Sequence, residues 1–162
     1  MRRPITPRGY RDLRDELQRL KGMRPELARA IEVARGHGDL SENADYDAAK
    51  EKSGLTEAKI RDLESKLASA DVIDPRTLGT PSRVVFGVTV LVEDVDSGEE
   101  RKLMLVGPDE SNVDAARISV ESPIGKALLG KQVDDIARVK LPSGQREYEI
   151  REISVEYEDS SE

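Results

Sequence analysis

Four carboxylates, Asp39, Glu42, Asp45 and Asp47, fall within nine residues of the stretch HGDLSENADYDAAKEKSG, and no lysine or arginine follows until Lys50. Two carboxylates three residues apart near a helix start can face the same way. Oxygen donors of this kind suit Mg²⁺, which takes one or two carboxylates and completes its shell with water and substrate phosphate. Such a pair is a weak site alone and a stronger one when delivered to a phosphate-bearing partner. A purely structural account competes with it. Asp39-Leu-Ser-Glu42 has the spacing of a capping box, and Asp45 and Asp47 then serve as ordinary first-turn acids facing the helix dipole. His37 is the only histidine of a chain without cysteine, a poor metal site by itself, and is expected to stabilise the turn or to pack. Leu40 is apolar where the chain should be most exposed, so something is expected to pack there.

The elements that must position these groups can be counted. Thr6-Pro7 is a helix opening, an N-cap hydroxyl followed by proline at the first helical position. From Tyr10 the positions Leu13, Leu17, Leu20, Arg24, Leu27, Ile31 and Ala34 repeat in alternating steps of three and four. Tyr46, Ala49, Ser53, Thr56, Ile60, Leu63, Leu67 and Ala70 repeat in the same way. Both are heptad seams. They mirror one another about residue 40, which describes an antiparallel helical hairpin with arms of about 35–40 Å. Arg24, Ser53 and Thr56 make its middle the weakest part. Pro25 is expected to distort the first arm near Gly22–Arg24 without breaking it. Gly36 and Gly38 permit a tight reversal, which puts the carboxylates at the apex.

Composition narrows the classes. At 162 residues the chain suits one ordinary domain or two small ones; it has no Trp and one Phe, and over a third of it is charged. The lack of Cys excludes disulfides and thiol chemistry. No apolar run is long enough for a membrane span or signal core, so a soluble cytoplasmic protein is expected; a monomer is expected as well. The net charge of −7 is uneven: residues 1–35 carry ten basic and five acidic residues, and residues 36–47 four acids and no base. The basic first helix is either a solvated face or a nucleic-acid contact.

Residues 73–82, IDPRTLGTPS, read as a linker region. Beyond it, VVFGVTVLVEDV puts Val84, Phe86, Val88, Val90 and Val92 on one parity, and DSGEE is a hairpin turn leading into KLMLV. RISVES, DDIARVKL and EYEIREISVEY give further strands, with a short helix at 123–129. Gly87 marks a bulge or close packing. The fold class is therefore α+β: an N-terminal antiparallel coiled coil over 1–75 with its acidic tip at 36–47, a linker at 76–82, a largely antiparallel domain at 83–157, and a disordered tail at 158–162. No catalytic arrangement is visible in the second half. Its most distinctive piece, Ser122-Pro123-Ile124-Gly125-Lys126-Ala127-Leu128-Leu129, is a strand-to-helix turn whose leucine pair enters the core, or a loop that docks on a partner.

ARGHGDLSENADYDAAKEKSGL, VIDP, VVFGVTV and ISVESPIGKALLGK together resemble the Gre family of bacterial transcript cleavage factors, GreA type, in the expected order over nearly the whole chain. Gly36 stands where many members have a charged residue, and Ser41 where some have Lys; neither change removes a carboxylate. The resemblance implies that the coiled coil enters the secondary channel of bacterial RNA polymerase. Asp39 and Glu42 would there help hold a second Mg²⁺ and position water for two-metal cleavage of the extruded nascent RNA 3′ end. No Mg²⁺ is expected to stay bound to the free chain. Asn43, Asp45 and Tyr46 are implied as tip support, although Tyr46 is also the last seam residue and reads better as packing. Arg11, Arg14 and Arg19 are candidates for RNA contact in a salt-sensitive way. The C-terminal domain resembles the FKBP-like fold, with Ser122, Pro123, Ile124 and Gly125 as candidates for docking on the polymerase.

The residues also admit a channel-binding regulator without cleavage activity, which the retention of both Asp39 and Glu42 disfavours. Isomerase activity is disfavoured by the scarcity of aromatics, with only Phe86, Tyr148 and Tyr157 in this half. A free nuclease is disfavoured by too few ligands. The chain is thus expected to be an accessory factor, not an enzyme.

Overall fold

The computed structural model describes residues 2–36 and 44–158. Packing divides the chain into two compact units, Arg11–Ser69 and a discontinuous unit of Met1–Tyr10 with Ala70–Glu162.

The first unit is the hairpin. Helix α1 spans Pro7–Gly22, α2 Arg24–Arg35 and α3 Ala44–Ser69. The Thr6 hydroxyl accepts from the Gly9 N–H at 3.1 Å, the N-cap that the Thr-Pro opening implies. Seam positions are buried or half-buried in both arms, with Arg24 the exception. Leu17, Leu20, Ile60 and Leu63 form the buried cluster, flanked by Leu13, Met23 and Leu67, so the mirrored pairs meet and the arms run antiparallel. Exposed Arg24 makes a bidentate ion pair with Glu57, both bonds 2.9 Å, in place of an apolar contact. Thr56 is buried with its hydroxyl donating to the Lys52 carbonyl at 2.9 Å, which satisfies it within its own helix.

Pro25 does more than distort the arm. It has no N–H to bond back one turn, and the ladder is interrupted at Met23, leaving two helices where one was expected. Met23 itself stays in the right-handed helical region, its N–H turning to the Leu20 carbonyl at 3.1 Å, while α2 restarts with Pro25 in its first turn, where a missing donor costs nothing.

The second unit begins with a pair of short parallel strands, β1 Arg3–Ile5 and β2 Ala70–Val72, in register from Arg3↔Ala70 to Ile5↔Val72. A five-stranded sheet follows: β3 Thr89–Asp94, β4 Glu100–Val106, β5 Arg117–Ser119, β6 Ile136–Leu141 and β7 Gly144–Ser154, in the order β5-β4-β3-β7-β6. All neighbours are antiparallel except β4 and β5. Helix α4, Pro123–Leu128, packs against β6 and β5, and Leu128 enters a core that includes Val90, Leu105, Val139 and Ile150. The protein is α+β, as its patterning implies.

Three boundaries differ from the sequence reading. The units divide at Tyr10/Arg11 and Ser69/Ala70, not at residue 75, because β1 pairs with β2 and carries the first ten residues into the sheet-bearing unit. Part of the expected 76–82 linker is packed: Pro75–Leu78 forms a 3₁₀ turn capped by Asp74, Pro75 is buried, and Leu78 lies against the core. The third strand starts at Thr89, later than the Val84 periodicity suggested, and Phe86 is only half-buried. Gly87 explains the delay. It has φ +91° and a Cβ there would stand 3.0 Å from Pro75, so chain reversal and close packing coincide. Of the expected tail, residues 159–162 lie outside the described residues, whereas Tyr157 before them is buried.

Candidate functional site

The apex of the hairpin is bounded by the end of α2 and the start of α3. Asp39, Glu42 and Asn43, with His37, Gly38, Leu40 and Ser41, lie outside the described residues. Gly36 caps α2 in the right-handed region with φ −72°, so the backbone freedom expected of it is not used at this position. Asp45 and Asp47 occupy the first turn of α3, where negative charge is favoured by the helix dipole.

Tyr46 is half-buried, as its seam position predicts, and has a polar role besides. Its hydroxyl accepts from Arg35 Nη2 at 3.4 Å, and its ring centroid is 5.7 Å from the Arg35 guanidinium and 5.6 Å from the Lys50 ammonium. The hydrogen bond from Arg35 lowers the Tyr46 phenol below its ordinary range and correspondingly raises the Arg35 guanidinium. Arg35 and Lys50 were not singled out by sequence. The signal was available in part, since Lys50 stands four positions after Tyr46 on α3 and Arg35 follows the seam residue Ala34, which mirrors Tyr46 on the facing arm. Beside them an open groove of about 500 Å³ is lined by Glu26, Arg29, Ala30, Val33, Asp45 and Ala49, among others.

The three arginines read as RNA-contact candidates are not brought to one face. At about 100° per residue, Arg14 and Arg19 diverge by about 140° around the helix. Arg14 is exposed, Arg11 half-buried, and Arg19 donates to Glu16 at 2.7 Å.

The docking candidates are adjacent but point differently. Ser122 caps α4: its hydroxyl donates to the Ser119 carbonyl at 2.7 Å and accepts from the Gly125 N–H at 3.0 Å. Ile124 packs on the core, and Gly125 is buried where a Cβ would run into the Ser119 carbonyl. Only Pro123 is exposed. The leucine pair also splits, Leu128 inward and Leu129 outward. Leu129 and exposed Ile136 line a groove of about 370 Å³ with Lys126, Lys131 and Arg138, residues drawn from α4, the turn after it and β6.

Among the described residues no group of three or more His, Asp or Glu side chains is placed to hold a metal, and no helix is long and apolar enough to cross a membrane.

Both units match descriptions drawn from one class of protein, the transcription elongation factors. Residues 3–72 match the N-terminal domain of that class, and residues 79–155 match the GreA/GreB C-terminal domain. The chain is 54% identical over 151 residues to transcription elongation factor GreA of Ralstonia nicotianae, covering 93% of this chain and 96% of that one. It is 50% identical to the GreA of a Psychrobacter species over 94% of this chain and 97% of that one. Among solved structures, GreA factor homolog 1 of Thermus thermophilus is 32% identical, with 94% of this chain and 99% of that chain covered and a TM-score of 0.44. The chain belongs to the GreA/GreB family of transcription elongation factors and is of the GreA type. Membership implies RNA polymerase as its partner.

Proposed function

We propose that this elongation factor inserts its hairpin into the secondary channel of RNA polymerase and stimulates the polymerase's own cleavage of backtracked nascent RNA. The observation that carries the reading is the accumulation of acid at the hairpin apex of a GreA-type chain, with Asp45 and Asp47 in the first turn of α3 just beyond Asp39 and Glu42. The docking role falls to the α4 end of the sheet-bearing unit. There exposed Pro123 and the groove beside Leu129 and Ile136 join apolar surface to Lys126 and Lys131.

Asp39 and Glu42 offer hard carboxylate oxygens, the donor chemistry that Mg²⁺ accepts, in a number too small to hold it without further ligands. Shared with the polymerase, a Mg²⁺ held by them would supply Lewis-acid stabilisation of phosphate oxygens and a more acidic bound water. The chain's own residues bring the carboxylates into place. The seam holds the arms together, Arg35 and Tyr46 join them next to the apex, and Asp45 adds negative potential. The chemistry belongs to the polymerase, and the chain lends it ligands.

The test is RNA release from a purified, backtracked bacterial elongation complex in Mg²⁺, with wild type against the Asp39→Ala/Glu42→Ala double variant. Acceleration by wild type alone, with the variant still competing for polymerase, is expected. Binding without acceleration by either protein would make this a channel-binding regulator instead. Loss of helix in the variant, at about 1 kcal/mol per lost cap, would return the acids to a capping role.

A further inference from the structure

The carboxylate of Glu110 does work that the reading above leaves unassigned. Glu110 follows β4 in a loop, yet it is bonded to the root of α1, 104 positions away. One oxygen, Oε2, accepts from the Thr6 N–H at 2.8 Å and from the Gly107 N–H at 3.1 Å. The other, Oε1, accepts from the Thr6 hydroxyl, which in turn accepts from the Gly9 N–H as the N-cap of α1. Thr6 is fully buried. The surroundings are shaped for this node: a Cβ at Gly9 would run into the Glu110 carboxylate, and one at Gly107 into the Pro4 carbonyl. Arg3 lies 3.6 Å from Asp109 next door.

Gly107 directly follows the strand that leads to the docking turn. Val106 pairs with Ser119 in the β4–β5 ladder and accepts from the Val120 N–H at 2.9 Å, and Ser119 accepts from Ser122, the cap of α4. A run of bonds therefore joins the start of α4 to the first turn of α1, reaching the helix through the side chains of Glu110 and Thr6. We propose that Glu110 is a positioning residue: it fixes the root of α1, the helix that leads into the hairpin, to the frame that carries the docking turn. The proposal rests on the function proposed above. A slack of about 5° at Pro7 displaces the far end of a helix of this length by about 2 Å, and catalytic geometry is lost over about 1 Å. Loss of Glu110 is therefore expected to lower delivery of the acidic apex and leave polymerase binding intact.

The experiment measures cleavage rate against factor concentration on a backtracked elongation complex, for wild type, Glu110→Gln, Thr6→Val and Thr6→Ser. Glutamine keeps one acceptor oxygen in place of two, so the two N–H bonds can survive but the bond accepted from the Thr6 hydroxyl is lost, and valine removes that hydroxyl while keeping the shape. Both are expected to lower the saturating rate about ten-fold while the half-saturating concentration stays within about two-fold, and Thr6→Ser to restore wild-type behaviour. An unchanged saturating rate, or a loss carried entirely by weaker binding, overturns the proposal. If Glu110→Gln loses its helical signal, the milder Thr6→Val decides. A wild type that binds without accelerating cleavage defeats the underlying reading and this one with it; an accelerating wild type with unaffected variants defeats this one alone.

Discussion

Ile60→Ala tests whether the hairpin stands on its small apolar cluster. Ile60 is fully buried, and only Leu17, Leu20 and Leu63 share the buried part of that cluster. Truncation to alanine removes three carbons, worth about 2.4 kcal/mol in transfer alone, and a rigid seam adds a cavity term that brings the total to about 3–4 kcal/mol. For a unit of this size each kcal/mol moves the midpoint by about 4–8 °C, so a fall of more than about 12 °C is expected. Ile31 is half-buried in the same seam, and Ile31→Ala should cost about 1 kcal/mol. The assay is thermal melting followed at 222 nm, a signal dominated by α1, α2 and α3 because α4 has only 6 residues. Equal losses for the two variants, or a loss at Ile60 under about 1 kcal/mol, would refute the idea that the burial gradient along the seam governs hairpin stability.

Tyr157→Phe removes the acceptor that the Arg8 N–H reaches at 2.9 Å while keeping the ring between Arg8 and Arg76; about 1–2 kcal/mol of local protection should disappear, read by exchange at the Arg8 amide. Asp94 is held below the usual carboxylate range first by Arg146 and then by the Ser97 N–H. A depressed folded value stabilises above the unfolded pKa and is lost as pH falls through the folded one, so the β3–β4 turn should loosen only below about pH 4. Asp94→Asn should flatten that acid limb in a pH series of unfolding curves. Gly54 lies inside α3 with nothing within 4 Å of a Cβ, so Gly54→Ala should stabilise by about 0.5–1 kcal/mol in denaturant titration. Gly107→Ala should destabilise in the same assay, since its Cβ meets backbone.

The hairpin was legible because heptad spacing is a local rule kept over eight positions per arm, and a single polar exception such as Arg24 does not hide it. What the spacing could not tell was how that exception is resolved; the answer, Glu57, sits on the other arm. Pro25 announced itself, but whether the helix bends or splits depends on whether Met23 can turn its N–H to Leu20. The strands expected at 102–106 and 147–157 correspond to β4 and β7, which begin two and three residues earlier, and the second ends three residues sooner. The boundary at Ser69/Ala70 was not legible, because three-residue strands such as β1 and β2 carry too little pattern and pair across 67 positions from Arg3 to Ala70. At the site, carboxylate spacing left a capping box and a metal pair both open, and it was the resemblance to the Gre family that pointed to Asp39 and Glu42, which lie outside the described residues. The partners of Tyr46 were within reach of helical geometry, whereas Glu110 was hidden, since nothing in the sequence around a loop glutamate signals a helix start more than a hundred residues earlier.

The first ten residues belong to a unit whose other part begins at Ala70, and this has a consequence for the order in which the protein can form as it is synthesised. The opening strand leaves the ribosome with no mate until Ala70–Val72 has followed. Thr6 then waits for Glu110, and the Arg8 amide for Tyr157, 149 positions later. The hairpin can close outward from the Arg35–Tyr46 contact, 11 positions apart, while β3 must wait for β7, 54 to 65 positions later. Until Tyr157 arrives, the N-terminal segment and the edge of β2 remain open to other chains. A stall or truncation near the C-terminus would therefore expose the very start of the polypeptide.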